Sequence, residues 1–103
     1  MKAHKQDIKV RMYNSDDIII KALIIGDFGY HKSTYDDGCY DVTHIPSGKF
    51  VCRRIPLQKY AKILTEKLYK MVLKYNGIGQ YSEEFEQEIG YIIDNFWYTY
   101  IGD

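Results

Sequence analysis

Ile8, Val10 and Met12 alternate with Lys9, Arg11 and Tyr13, so the chain opens on a period of two that predicts a half-buried strand. Asn14-Ser15-Asp16-Asp17 is a cluster of turn formers. Ile18 to Ile25 then reads apolar on both faces, broken only by Lys21, which predicts a central strand covered on both sides. Gly26 and Gly29 bracket a break, and Phe28 to Tyr35 suits a further, irregular strand before the Asp36-Asp37-Gly38 turn. The clearest hairpin follows. Cys39 to Ile45 alternates with Tyr40, Val42 and His44 on one face, Pro46-Ser47-Gly48 turns the chain, and Lys49 to Arg54 returns.

After Pro56 the period changes. Leu57, Ala61, Leu64, Leu68, Met71, Val72 and Tyr75 fall within roughly 100° of arc at helical spacing, and Lys59, Lys62, Lys67, Lys70 and Lys74 fall on the opposite side. This predicts an amphipathic helix over 57–75, ended by Asn76-Gly77-Ile78-Gly79. Ser82 suits the N-cap of a second helix, with Glu83 and Glu84 favourable in its first turn. Phe85, Ile89, Ile92, Ile93, Phe96, Trp97 and Tyr100 give that helix one wide apolar stripe.

Strands first and helices afterwards imply one α+β domain over residues 1–103. The expected architecture is an antiparallel sheet of four to five strands, with two C-terminal amphipathic helices packed on one face as an antiparallel pair. A chain of 103 residues with 46% apolar content is long enough to bury a core without disulfides or metal. Eleven tyrosines, against four Phe and one Trp, fit a small core or a binding surface, because the ring packs while the hydroxyl stays wet.

Charge adds a feature that hydropathy hides. All fourteen basic residues precede Tyr75 and meet eight acids there, a net of +6; the remaining six acids follow without a base, a net of −6. The formal charge of zero thus conceals a dipolar molecule, and the acidic second helix is expected to neutralise part of the first. No apolar run approaches a membrane span, and MKAHKQD lacks the apolar core of a signal peptide. The expectation is a cytoplasmic protein with reduced cysteines.

The chemistry-bearing residues are sparse. Asp27-Phe28-Gly29 matches the metal-binding triplet of protein kinases, but no glycine-rich loop or catalytic loop accompanies it, and Gly77-Ile78-Gly79 follows a helix instead of a strand. His31, Cys39, His44 and Cys52 are soft ligands without the paired spacing of a zinc knuckle. Cys52, His44 and Asp41 could be written as a nucleophile, base and orienter, yet positions 41 and 44 point to opposite faces of a strand. No catalytic residue, metal or cofactor is therefore expected, and the protein reads as non-enzymatic.

What remains is the basic set Arg53, Arg54, Lys59, Lys62, Lys67, Tyr69, Lys70 and Lys74 as a partner-binding surface. Ile63 and Leu73 sit among these lysines, which tilts the expected partner toward a protein over a nucleic acid. The segment Tyr40-Asp41-Val42-Thr43-His44-Ile45-Pro46-Ser47-Gly48-Lys49, continued by a second strand and a helix to residue 74, resembles a hairpin–helix unit of small uncharacterised proteins of phages and mobile elements. The resemblance implies the class of accessory proteins that bind and block a host machine, anti-CRISPR and other anti-defence inhibitors among them, acting in the host cytoplasm. The functional expectation is an inhibitor of a host protein or ribonucleoprotein complex that processes nucleic acid. Direct nucleic-acid binding by the same helix face is the alternative.

Overall fold

The computed structural model describes residues 3–12, 16–34, 37–74 and 83–102. Tyr13, Asn14 and Ser15, Tyr35 and Asp36, and the interhelical residues Tyr75 to Ser82, on which several expectations fell, lie outside the described residues. Five strands form one antiparallel meander in chain order: β1 (His4–Val10), β2 (Ile18–Ile25), β3 (Phe28–Lys32), β4 (Tyr40–His44) and β5 (Lys49–Ile55). Two helices follow, α1 (Gln58–Lys74) and α2 (Glu83–Phe96), and α2 runs into a π-helical segment at Trp97–Ile101. The expected α+β class, sheet and C-terminal helices are all present.

Alternation sorts the strand side chains onto two faces. On one face Ile25, Phe28, Tyr30, Val42, Cys52 and Ile55 form the main core with Ala61, Leu64 and Leu68 of α1 and Phe96 of α2. On the other, Ile8, Val10, Ala22 and Ile24 form a second cluster, with Met12, Ile18, Ile20, Ile45 and Phe50 against it. No helix need cover this second cluster, because the sheet curls. The Arg11 N–H donates to the Gly48 carbonyl at 2.8 Å, joining the end of β1 to the turn between β4 and β5. Gly29 lets β1 and β2 close over β3, since a Cβ there would stand 3.0 Å from Ile24 Cδ1 and 3.2 Å from Ala22 Cβ.

α1 lies directly on the sheet, mainly across β3 and β4. It begins one residue later than its period suggests. The Leu57 carbonyl accepts the Tyr60 and Ala61 N–H groups, so Leu57 is the flanking residue, and its side chain is 45% exposed instead of joining the core. Thr65 is fully buried among the apolar positions and is satisfied by donating to the Ala61 carbonyl at 2.7 Å. α2 packs on α1, with Phe85 and Phe96 buried and the rest of its stripe half-buried. Tyr60 near the start of α1 meets Tyr100 at a centroid distance of 5.5 Å, while Lys74 at its end bonds Glu88 at 2.9 Å. The pair is therefore antiparallel, and the acidic helix does neutralise one lysine of the basic one.

β2 departs from the expectation of a strand covered on both sides. Ile24 and Ile25 are buried, but Ile19 is 64% exposed, because the helices reach only the C-terminal half of this strand. No described helix is long and apolar enough to cross a membrane.

Candidate functional site

The basic residues singled out in the sequence do not form one surface. Lys59, Lys67, Lys70 and Arg54 are exposed and Lys62 is half-buried. Lys74 is the lysine paired to Glu88, and Lys67 and Lys70 border the groove where Ile92, Phe96 and Tyr100 of the second helix meet α1. Lys59 sits with its ammonium 5.4 Å from the Tyr60 ring centroid. Arg53 turns to the other face of the sheet, with its guanidinium carbon 5.1 Å from the Phe50 ring. Tyr69 is the clearest displacement from expectation. Its ring lies against Gly26, where a Cβ would approach Cδ1 to 2.3 Å, so it packs the helix onto the β2–β3 turn and is half-buried there. The basic row left on the polar side of α1 is Lys59, Lys62, Lys67 and Lys70, with Glu66 among them and Leu73, 56% exposed, beside them.

A second basic feature was missed by the sequence reading. A cleft of about 520 Å³ opens between β2 and β3 and is lined by Lys5, Lys21, Lys32, Tyr40 and Thr34, with Gln58 of α1 at one wall. These lysines come from three strands, so no linear pattern groups them; the one local sign was Lys21 interrupting an apolar run.

Beneath this cleft lies a buried polar group. His31 is 5% exposed, its Nδ1–H donates to the Lys32 carbonyl at 2.9 Å, and Nε2 accepts from the Thr43 hydroxyl at 2.7 Å. Burial lowers its pKa, opposed by the bond to Lys32 and by the charge of Asp41, so the neutral tautomer suits both bonds. Asp41, opposite His31 in the β3–β4 register, is fully buried. Its Oδ1 accepts the Arg54 N–H at 3.1 Å, while Oδ2 has no hydrogen-bond donor among the described residues.

The Cys52, His44 and Asp41 combination is not assembled. Cys52 pairs with Val42 on the helix side and His44 stacks near Phe28 at 5.5 Å on that same side, whereas Asp41 belongs to the opposite face. Burial pushes the Cys52 thiol up to about 11, the reverse of an activated nucleophile. The nitrogens of His31 are committed to Lys32 and Thr43, and Ser47 Oγ lies 2.8 Å from His44 Nδ1. Among the described residues no group of three His, Cys, Asp or Glu is arranged to hold a metal ion. No family model, curated protein or solved structure matches this chain.

Proposed function

We propose that the protein is a non-enzymatic binding module that docks on a host protein complex processing nucleic acid and inhibits it, as the accessory proteins of phages and mobile elements do. The observation that carries this reading is the composition of the outward face of α1. Lys59, Lys62 and Lys70 supply charge, while Leu73, 56% exposed, places apolar surface beside them. Leucine adds nothing to a phosphate contact but adds buried area against a protein, with the lysines as a charged rim. The test is capture of host proteins on the immobilised chain after nuclease treatment, beside a Leu73→Asp variant and a Lys59→Glu/Lys70→Glu variant. A partner held by the wild type and lost with both variants supports the reading; retention by both variants overturns it.

Direct nucleic-acid binding is the second reading, favoured by the three cleft lysines, which give the sheet basic surface besides that of α1. Phosphate contacts weaken steeply with salt in proportion to their number. Mobility shifts at about 50 and 200 mM salt separate the two readings. No shift at the lower concentration removes the second.

A further inference from the structure

The β2–β3 ladder ends where further pairing would bring two lysines together. It pairs Ile25 with Phe28, Ile24 with Gly29 and Leu23 with Tyr30, and then ends. Continuing that register would set Ala22 opposite His31 and Lys21 directly opposite Lys32. Like charges directly opposite one another on a sheet are destabilising. Both strands nonetheless continue: β2 stays paired to β1 as far as Val10↔Ile18, and β3 stays paired to β4 as far as Lys32↔Tyr40. The strands therefore part without fraying, and the cleft of about 520 Å³ is the wedge between them.

Lys5 lies across β2 from the wedge, in register with Leu23, on the same face as Lys21. No ion pair engages Lys5, Lys21 or Lys32 among the described residues. The nearest acid in register is Asp7, exposed on β1 opposite Lys21. Thr34 adds a buried hydroxyl with no hydrogen-bond partner among the described residues. Gln58, the first residue of α1, brings the positive end of a seventeen-residue helix whose first turn holds no acid. Tyr40 and Leu23 give the wall an aromatic and an apolar patch. The Lys32 backbone is fixed by the His31 bond to its carbonyl.

We infer that the wedge between β2 and β3 binds a nucleotide, its phosphates bridging Lys21, Lys32 and Lys5 and its base resting on Tyr40 and Leu23. The volume falls within the range of small-molecule sites, roughly 300–1,000 Å³. A multiply charged anion between the two strands converts the Lys21–Lys32 repulsion into attraction, which a neutral ligand does not do. The nucleotide is either free or one unit of a chain, since both present the same phosphate ester and base. Of α1 only Gln58 lines the wedge, so substitutions at Lys21 and Lys32 test the site apart from the docking reading at Lys59 and Lys70.

The experiment is a titration of isotopically labelled protein, followed through its backbone amides at low ionic strength, with ATP, tripolyphosphate, adenosine and a short oligoadenylate. ATP is expected to shift the amides of Lys21, Ala22, His31 and Lys32, with adenosine and tripolyphosphate each at least tenfold weaker. Lys21→Gln/Lys32→Gln is expected to weaken ATP at least tenfold, and Lys59→Gln/Lys70→Gln to leave it unchanged. Lys32→Glu supplies a control for folding: it replaces repulsion by an ion pair, so it should raise the melting temperature while abolishing ATP binding. Tighter binding of the oligoadenylate at these same amides identifies a chain as the source, and tighter ATP a free nucleotide; either supports the site. Three results overturn it: no shift with millimolar ATP, shifts confined to α1, or tripolyphosphate binding as tightly as ATP.

Discussion

The Asp41 carboxylate accepts the backbone N–H of Arg54 at 3.1 Å, and Arg54 is the one described non-glycine residue with a positive φ, 62°. Tyr40 pairs with Ile55 and Val42 with Cys52, so Asp41 alone stands opposite both Arg53 and Arg54. That is a β-bulge, and the buried carboxylate holds the N–H that the bulge removes from the ladder. Asp41→Ala should cost about 1–3 kcal/mol by orphaning this donor, whereas Asp41→Asn keeps the acceptor and should cost less. At the bulge itself, Arg54→Gly should be tolerated and Arg54→Val should lose about 1–3 kcal/mol, because a β-branched residue resists this backbone region. Urea unfolding of the four variants checks the order; equal losses for Ala and Asn at position 41 would contradict it.

Gly26 and Tyr69 form a second such pairing. Gly26 has φ 62°, and its missing Cβ is the space the Tyr69 ring fills. Gly26→Ala should therefore destabilise by about 1–3 kcal/mol through overpacking and backbone strain. In a Tyr69→Leu background the same substitution should cost clearly less, since the ring it meets is gone. Additive losses in the double variant would show that the two residues do not touch in solution.

The parts legible in the sequence are those where one local period decides the outcome. Ile8 and Val10 alternate and are buried; Ala61, Leu64, Leu68 and Met71 repeat at helical spacing and are buried on α1. Leu57 obeys the same period but lies before the first helical hydrogen bond, and period alone does not locate that bond. Tyr69 sits between the polar and apolar arcs of α1, where a side chain goes wherever a neighbouring element leaves room, and the Gly26 that leaves it is distant in sequence. Arg53 lies at the irregularity of β5 opposite Asp41, which strand alternation does not show. The wedge of lysines depends on the register across the Gly26-Asp27 turn, which becomes visible only once β2 and β3 are paired.

The C-terminal helix should be part of the cooperative unit. Phe96 is 1% exposed within the main core, so Phe96→Ala should cost about 3–5 kcal/mol. Trp97 is only half-buried, and Trp97→Ala should cost about 1–2 kcal/mol in spite of the larger ring. Deleting residues 82–103 removes Phe85 with Phe96 and should leave the chain unfolded or insoluble, given that a domain holds about 5–15 kcal/mol in all. A cooperative, native-like melt of the truncated chain would reduce α2 to an appendage.

Cys52 should be a slow thiol. Burial raises it to about 11 from an ordinary value of 9.0, which cuts its thiolate fraction near neutral pH about a hundredfold. Mass spectrometry after timed alkylation should find Cys39 modified well before Cys52, with Cys52 labelled only as fast as the domain opens. Faster labelling of Cys52 would restore it as a nucleophile.

His31 and His44 give the stability a pH dependence whose sign follows from burial. Both are held below the ordinary histidine value, chiefly by desolvation, so the unfolded chain binds protons that the folded chain refuses. Stability should be complete above the unfolded value of about 6.5 and fall as pH drops through the window beneath it, before the carboxylates titrate. Protonating His31 also forces Nε2 to become a donor, and the Thr43 hydroxyl must then turn to accept. His31→Gln should remove its share of this slope, and the remainder should belong to His44. Denaturant unfolding at half-unit steps from pH 7.5 to 5.5 measures both slopes. If wild type and His31→Gln lose stability in parallel, the acid sensitivity lies elsewhere and the buried His31–Thr43 bond is not what resists protonation.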